Sequence, residues 1–198
     1  MKHTIAVIAA AMLAVCAPVF AQTSKEIRQA KKLARSEAKQ LENDGYKLTE
    51  IGDLQAELQD YILESKQGKE QIVGTSGPTV SLNLAKITAE NNAINEYVNR
   101  TGGMVKARIT SDLSDVDGVQ RDNLVAAFER MAVKEVKNDV KFCFSVVKEQ
   151  RRQYDVRTYC LVDNEDAHNA KMKALEQALA ELGLTEKYGS KISEWIQE

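Results

Sequence analysis

The feature that most constrains the fold is a pair of alternating segments joined by a short turn, between Val140 and Val162. Apolar residues occupy the even positions of both segments, whereas Lys141, Asp155 and Arg157 are among the polar residues at odd positions. A period of two is typical of β-strands with one buried face. The pattern predicts an antiparallel hairpin whose even-numbered side chains pack beneath helices and whose odd-numbered side chains face water.

The same alternation decides whether the two cysteines of the hairpin can pair. With both even sets on one face, Cys160 lies near Phe142 on the buried face and Cys143 points the other way. A direct pair of cysteines would require a one-residue slip, which exposes the apolar set of one strand at about 1.5–3 kcal/mol per side chain. A disulfide would return only about 2–4 kcal/mol. We therefore expect two free thiols, although export and an even number of cysteines favour a bridge.

The first residues have the pattern of a secretory signal peptide. Lys2 precedes an apolar run that ends in small residues up to Ala21. The run is too short to span a bilayer, which takes about 20 helical residues. We expect cleavage after Ala21 and an exported protein, periplasmic or associated with the outer membrane. Lipid attachment at Cys16 is the alternative, but the bulky Val15 before it favours ordinary cleavage.

Apolar periodicity divides the chain into an extension, a core and a tail. We expect a signal peptide over 1–21, an N-terminal helical extension over 22–69, an α+β core domain over 70–183 and a C-terminal tail helix over 184–198. The core is predicted to hold strands over 71–75, 139–148 and 154–162, and helices over 81–99, 119–136 and 164–182. The predicted fold is α+β, a small antiparallel sheet covered on one face by these three helices.

Two local expectations concern the helix over 81–99. Its apolar face includes Leu84 and Ile87. A row of small residues every four positions lets the helix lie close against a sheet: Ala85, Ala89 and Ala93. The glycine pair at 102–103 is expected to interrupt the helix.

No residue pattern points to a particular reaction. Once the signal peptide is removed, His168 is the only histidine, so a serine or cysteine nucleophile lacks the usual base. The acidic loop from Asp112 to Gly118 lacks the alternating ligands and the closing glutamate of a calcium loop. We therefore predict no catalytic residue, no metal site and no cofactor. The formal net charge of −2 gives no electrostatic case for nucleic acid.

Two basic surfaces are the candidate binding sites. The first helix of the extension carries Lys31, Lys32 and Arg35 opposite an alanine-rich stripe, and a basic amphipathic helix can lie on an anionic membrane. Arg151 and Arg152, at the hairpin turn, form a small basic projection toward lipid head groups or an acidic partner. A solvated helix face and a solvated turn explain the same residues without a ligand.

Several stretches together resemble a known family of exported proteins. They are "QIVGTSG" over 71–77, the helix with the alanine row, a second long helix, and the segment "FSVVKEQRRQYDVRTYCLV" with its closing helix. This arrangement resembles the Helicobacter-type twenty-kilodalton lipoprotein family, which is related in fold to the N-terminal domain of the flagellar T-ring protein. The segment "KKLARSEAKQLENDGYKL" is similar to uncharacterised exported proteins of Bacteroides relatives. The resemblance implies a compact sheet backed by helices in the cell envelope, with no catalytic residues to carry over.

The interpretation that these observations favour is a non-enzymatic exported cell-envelope module that binds a protein partner or the outer-membrane surface. Two alternatives remain open. One is a small periplasmic enzyme that uses carboxylates on glycans, and the other is a peripheral membrane binder that acts through the basic N-terminal helix. A concave pocket with converging acids would indicate the enzyme, and an exposed apolar patch would indicate a partner module. The partner and the oligomeric state do not follow from the sequence.

Overall fold

The computed structural model describes residues 23–112, 117–186 and 188, and within them the chain forms five α-helices and a four-stranded antiparallel sheet. The predicted α+β class is confirmed. The predicted signal peptide, Cys16, and most of the predicted tail helix lie outside the described residues. No helix in the described part of the chain combines the length and apolarity needed to cross a membrane.

The elements are named here in chain order. They are α1 (Ser24–Asn43), β1 (Lys47–Leu48), α2 (Leu54–Ser65), β2 (Lys69–Thr75), α3 (Leu82–Asp112), α4 (Gly118–Val136), β3 (Val140–Gln150), β4 (Gln153–Asp163) and α5 (Asn164–Glu181). The order across the sheet is β1-β3-β4-β2, so β2 forms one edge. Three aspartates, at 53, 117 and 163, accept the N–H of the second residue of α2, α4 and α5, and such caps stabilise a helix by about 1 kcal/mol each.

The helices α3, α4 and α5 form the layer on one face of the sheet, as predicted. The alanine row of α3 is fully buried, which confirms its expected role. At Gly74 of β2 an added Cβ would overlap the backbone of α3 at Ala89 and Ala93, so strand and helix meet through backbone atoms. Behind α3 the three helices share one core with the sheet, and it includes Ile72, Tyr97, Leu124, Phe128, Cys160, Val162, Leu175 and Leu179.

The opposite face of the sheet is also covered, by α1 and α2. Tyr159 and Leu161 of β4 are buried there against Leu58 and Tyr61 of α2. The prediction that odd-numbered residues of the hairpin face water is therefore wrong for this part of β4. The physical reason is that the N-terminal helices supply a second apolar layer, which the alternation of the hairpin alone does not reveal.

A β-bulge at Cys143 changes the side-chain alternation of β3. Before it, the predicted register is confirmed, because Phe142 lies opposite Cys160. After it, Phe144 lies opposite Tyr159 and stacks on its ring, with centroids 4.5 Å apart. One extra residue in a strand inverts the faces of all residues beyond it. Cys143 and Cys160 are free in the structure, and the pairing of Phe142 with Cys160 is the register from which two thiols were expected.

Beyond the bulge, the face predicted for the even residues of β3 is wrong, although Val146 is buried as expected. Val146 points toward α1 and α2, in the cluster with Tyr159, whereas Val147 packs with Val156 against the alanine row of α3. Burial of even positions is thus confirmed for Val156 and the other even residues at the centre of β4, and for Val140 at the start of β3. It is wrong for Phe142, which is 43% exposed.

The helix α3 differs from its prediction in two respects. It continues through the glycine pair to Asp112 instead of being interrupted. An added Cβ at Gly102 would lie 2.8 Å from Oε1 of Glu129, so a larger residue there would displace that side chain of α4. Leu84 and Ile87 are 53% and 55% exposed, because α3 turns its alanines toward the sheet instead.

Candidate functional site

The strand β2 is an edge strand, and its outer side has no strand partner among the described residues. Two bonds at its ends show the direction of its backbone groups: Asn164 donates its N–H to the carbonyl of Gly68, and Ser76 donates its N–H to the carbonyl of Val156. In an antiparallel pair, alternate residues direct both backbone groups toward the same neighbour. The backbone N–H and C=O groups of the even-numbered residues of β2 therefore point toward β4, and those of the odd-numbered residues point away from the sheet.

The outward backbone groups of Gln71 and Val73 are available to a further strand. At Thr75 the outward carbonyl instead accepts a hydrogen bond from Nδ2 of Asn92, at 2.8 Å, which ends the open stretch. Proteins usually protect an exposed edge with charged side chains, proline or a bulge. The segment 71–75 contains neither a charged residue nor proline.

Beside β2, on the face covered by α1 and α2, lies an open groove of about 760 Å³, which we call the edge groove. Two of its lining side chains, Leu33 and Val73, are apolar and exposed, at 48% and 40%. The residues that line the edge groove are Leu33, Ser36, Glu37, Gln40, Leu41, Tyr61, Ile62, Ser65, Lys66, Gln71, Val73, Arg157 and Tyr159.

Packed aromatic rings support the edge groove. Tyr61 meets both Phe144 and Tyr159 edge-on, at centroid distances of 6.0 and 5.4 Å. The hydroxyl of Tyr61 donates to the carbonyl of Ile72 at 3.4 Å, and the hydroxyl of Tyr159 donates to Oε1 of Glu37 at 3.2 Å. Burial raises the pKa of both tyrosines well above the ordinary value, so both hydroxyls remain protonated donors at neutral pH.

The lining of the edge groove has more positive than negative charge. Arg157 places its guanidinium over the ring of Tyr46, 4.3 Å from the centroid, and Nζ of Lys66 donates to Oε1 of Gln29 at 3.3 Å. Glu37 is the single carboxylate among the lining residues. Two cations and one carboxylate leave a net positive charge, which favours an anionic group on whatever the groove receives.

The predicted binding residues do not line the edge groove. Lys31, Lys32 and Arg35 are exposed on α1. Arg151 and Arg152 form the two-residue hairpin turn, and both adopt the left-handed conformation, with φ of 52° and 61°. The edge groove was not predicted, because the second face of the sheet was expected to face water, although a tyrosine and a leucine at odd positions of β4 indicate burial there.

A second cavity, of about 220 Å³, lies beside the bulge of β3. Three carboxylates, Glu50, Glu57 and Glu90, line it together with Cys143. Burial raises the pKa of the Cys143 thiol, which disfavours the thiolate that a nucleophile requires. Within the described residues, no group of three His, Cys, Asp or Glu side chains could hold a metal ion.

Comparisons of the chain with protein-family models, with curated proteins and with solved structures find no match. The resemblance to the exported lipoprotein family therefore stays a prediction.

Proposed function

We propose that the protein is a non-enzymatic, exported cell-envelope module that binds a protein partner at the edge groove. The observation that supports this proposal is the coincidence of a sheet edge that is open and uncharged over 71–75 with a groove that exposes Leu33 and Val73. A sheet edge can supply main-chain hydrogen bonds to a protein partner, and a neighbouring groove can supply side-chain selectivity.

The test is capture from an envelope extract by the mature protein, with two matched leucine variants. Leu33→Glu places a charge in the edge groove, and Leu84→Glu places one at a similarly exposed position, 53%, on α3. We expect Leu33→Glu to abolish capture of a partner that the unmodified protein and Leu84→Glu both retain. Circular dichroism should show both variants folded. Equal capture by the two variants would refute the edge groove as the binding site.

The membrane surface remains the second target of the proposed module. Lys31, Lys32 and Arg35 are exposed on the same helix as Ile27, which is 39% exposed, and this combination can favour an anionic bilayer. Sedimentation with anionic vesicles tests it, because changing all three cations to glutamate should then abolish binding. Loss of vesicle binding without loss of partner capture would separate the two activities.

The second cavity favours an alternative function, that of a carboxylate-dependent enzyme. Glu57 and Glu90 line the same small space, and glycoside hydrolysis uses a pair of carboxyl groups. Turnover of cell-wall glycan fragments that falls by about two orders of magnitude or more in Glu57→Gln and in Glu90→Gln would support it. Turnover that both variants retain would refute this cavity as the site.

A further inference from the structure

We infer that the partner contributes an extended segment that adds a fifth strand to the sheet along β2. This inference rests on the proposed function and specifies how the edge groove holds its partner. The first support for this inference comes from the outward backbone groups of β2. Gln71 and Val73 each direct one N–H and one C=O outward, a pattern that an extended backbone matches. A helix cannot match it, because its backbone groups are used internally.

The position of the added strand is limited at both ends of β2. At one end, Nδ2 of Asn92 already occupies the outward carbonyl of Thr75. At the other, Lys69 also directs its backbone groups outward, but its side chain, whose Nζ binds Oε2 of Glu64 at 3.1 Å, is a charged one of the kind that protects a sheet edge. The open register between them is centred on Gln71 and Val73, two residues that lie about 7 Å apart along a strand. The segment therefore needs only about five residues in extended form.

The groove determines the chemistry of that segment. Alternate side chains of an added strand point to the face of the sheet that carries Leu33 and Val73, so the central one should be apolar. Arg157 lies opposite Thr75 at one end of the open stretch. Lys66 precedes β2 at the other end. Acidic side chains two positions to either side of the apolar residue would match these two cations, which gives the pattern acidic–x–apolar–x–acidic.

A second copy of this chain matches the pattern less well. If two β2 strands paired about Ile72, the side chains offered to each groove would be Gln71, Val73 and Thr75 of the other copy. None of these is acidic, so a second copy would bring no carboxylate to Arg157 or to Lys66. Self-association through β2 is therefore an outcome that the experiment must detect, and it would overturn the inference.

The experiment uses the mature protein labelled with ¹⁵N and a synthetic peptide, acetyl-Thr-Glu-Thr-Leu-Thr-Glu-Thr-amide. Amide hydrogen exchange separates the two sets of β2 residues. We expect bound peptide to slow exchange of Gln71 and Val73 by about tenfold or more, while Ile72 and Gly74, already bonded to β4, change little. Two control peptides are matched to this one: acetyl-Thr-Thr-Glu-Leu-Glu-Thr-Thr-amide, which breaks the alternation, and the first peptide with an N-methylated leucine. Each should bind about tenfold more weakly.

Three results would overturn the inference. One is the absence of detectable binding at about 5 mM peptide, because a dissociation constant above that concentration is weaker than even one poor set of contacts would give. Another is binding without protection of Gln71 and Val73. The third is concentration-dependent protection of both amides in the protein alone, which would place a second copy at β2. If Leu33→Glu still abolishes capture from the extract, the proposed function survives any of these results. If Leu33→Glu does not abolish capture, the proposed function fails, whatever the peptide experiment shows.

Discussion

At the scale of single residues, the hydroxyl of Tyr97 is a buried polar atom without a hydrogen-bond partner among the described residues. Its ring lies 5.6 Å from the guanidinium of Arg100 and 5.1 Å from Nζ of Lys171. We expect Tyr97→Phe to keep these ring contacts and to raise the free energy of unfolding by up to about 1 kcal/mol, because an unsatisfied group is removed. Urea denaturation measures this change.

The control for this prediction is Tyr97→Leu, which removes the ring as well as the hydroxyl. It should lower the free energy of unfolding by about 1–3 kcal/mol, because cation–π contacts and packing are lost together. A Tyr97→Phe variant that is destabilised as much as Tyr97→Leu would mean that the hydroxyl is bonded after all.

A second residue-scale prediction concerns the pH dependence of stability. Hydrogen bonds from Lys141, at 2.7 Å, and from Lys69 lower the pKa of Glu64 below its ordinary value of 4.5. The carboxylate therefore stabilises the fold above about pH 4.5, and this contribution is lost as the pH falls through the folded pKa. Because Glu64 is 32% exposed, we expect about 0.5–1 kcal/mol.

Denaturation of Glu64→Gln at pH 7 and at pH 3 checks the sign of this effect. The variant should be less stable than the unmodified protein at pH 7 and about equally stable at pH 3. Glu176→Gln, at an exposed position of α5, serves as the control and should leave the profile unchanged. A difference that grows toward low pH would contradict the assignment.

At the scale of elements, the hairpin turn is built from residues that do not favour it. Arg151 and Arg152 both adopt positive φ, in the position where Asn-Gly is the preferred pair. Replacing them by Asn and Gly should raise the free energy of unfolding by about 1–2 kcal/mol, because an L side chain is strained there. Thermal unfolding tests this. An unchanged or lower melting temperature would show that the arginine side chains compensate for the strain.

The contact between β2 and α3 depends on the absence of a side chain at Gly74. An added Cβ would lie 2.8 Å from Cα of Ala93 and nearer still to other backbone atoms of α3. We expect Gly74→Ala to lower the free energy of unfolding by about 3 kcal/mol or more, because a whole helix must move. In Gly103→Ala, the new Cβ meets no atom within 4 Å, so this control should stabilise α3 by about 0.5–1 kcal/mol.

The same elements show what can be predicted from sequence. The alanine row of α3 and the even face of β4 were predictable, because each is a periodic pattern inside one element. The bulge at Cys143 could not be predicted in this way, because it depends on the contact between Phe144 and the ring of Tyr159 on the neighbouring strand. The edge groove was not predictable either, since its lining comes from α1, α2, β2 and β4, which are distant in sequence.

At the scale of the whole molecule, the sheet lies between two helical layers, and the layer of α1 and α2 closes one of its two main cores. Val146, Tyr159 and Leu161 are each at most 3% exposed beneath that layer. Exposing three such side chains costs about 5–8 kcal/mol, which is comparable to the entire stability of an ordinary domain. The helices α1 and α2 therefore stabilise the sheet in addition to lining the edge groove.

The last prediction follows from this arrangement. A fragment that spans 70–183 corresponds to the core domain predicted from sequence, but it lacks α1 and α2. We expect it to bind a hydrophobic dye, to self-associate in sedimentation and to show no cooperative thermal transition, whereas a fragment that spans 23–186 should unfold cooperatively as a monomer. A soluble, cooperatively folding 70–183 fragment would show that the second layer is dispensable. The edge groove would then lie between the core domain and a separable extension, and without that extension β2 would be open on the face opposite α3.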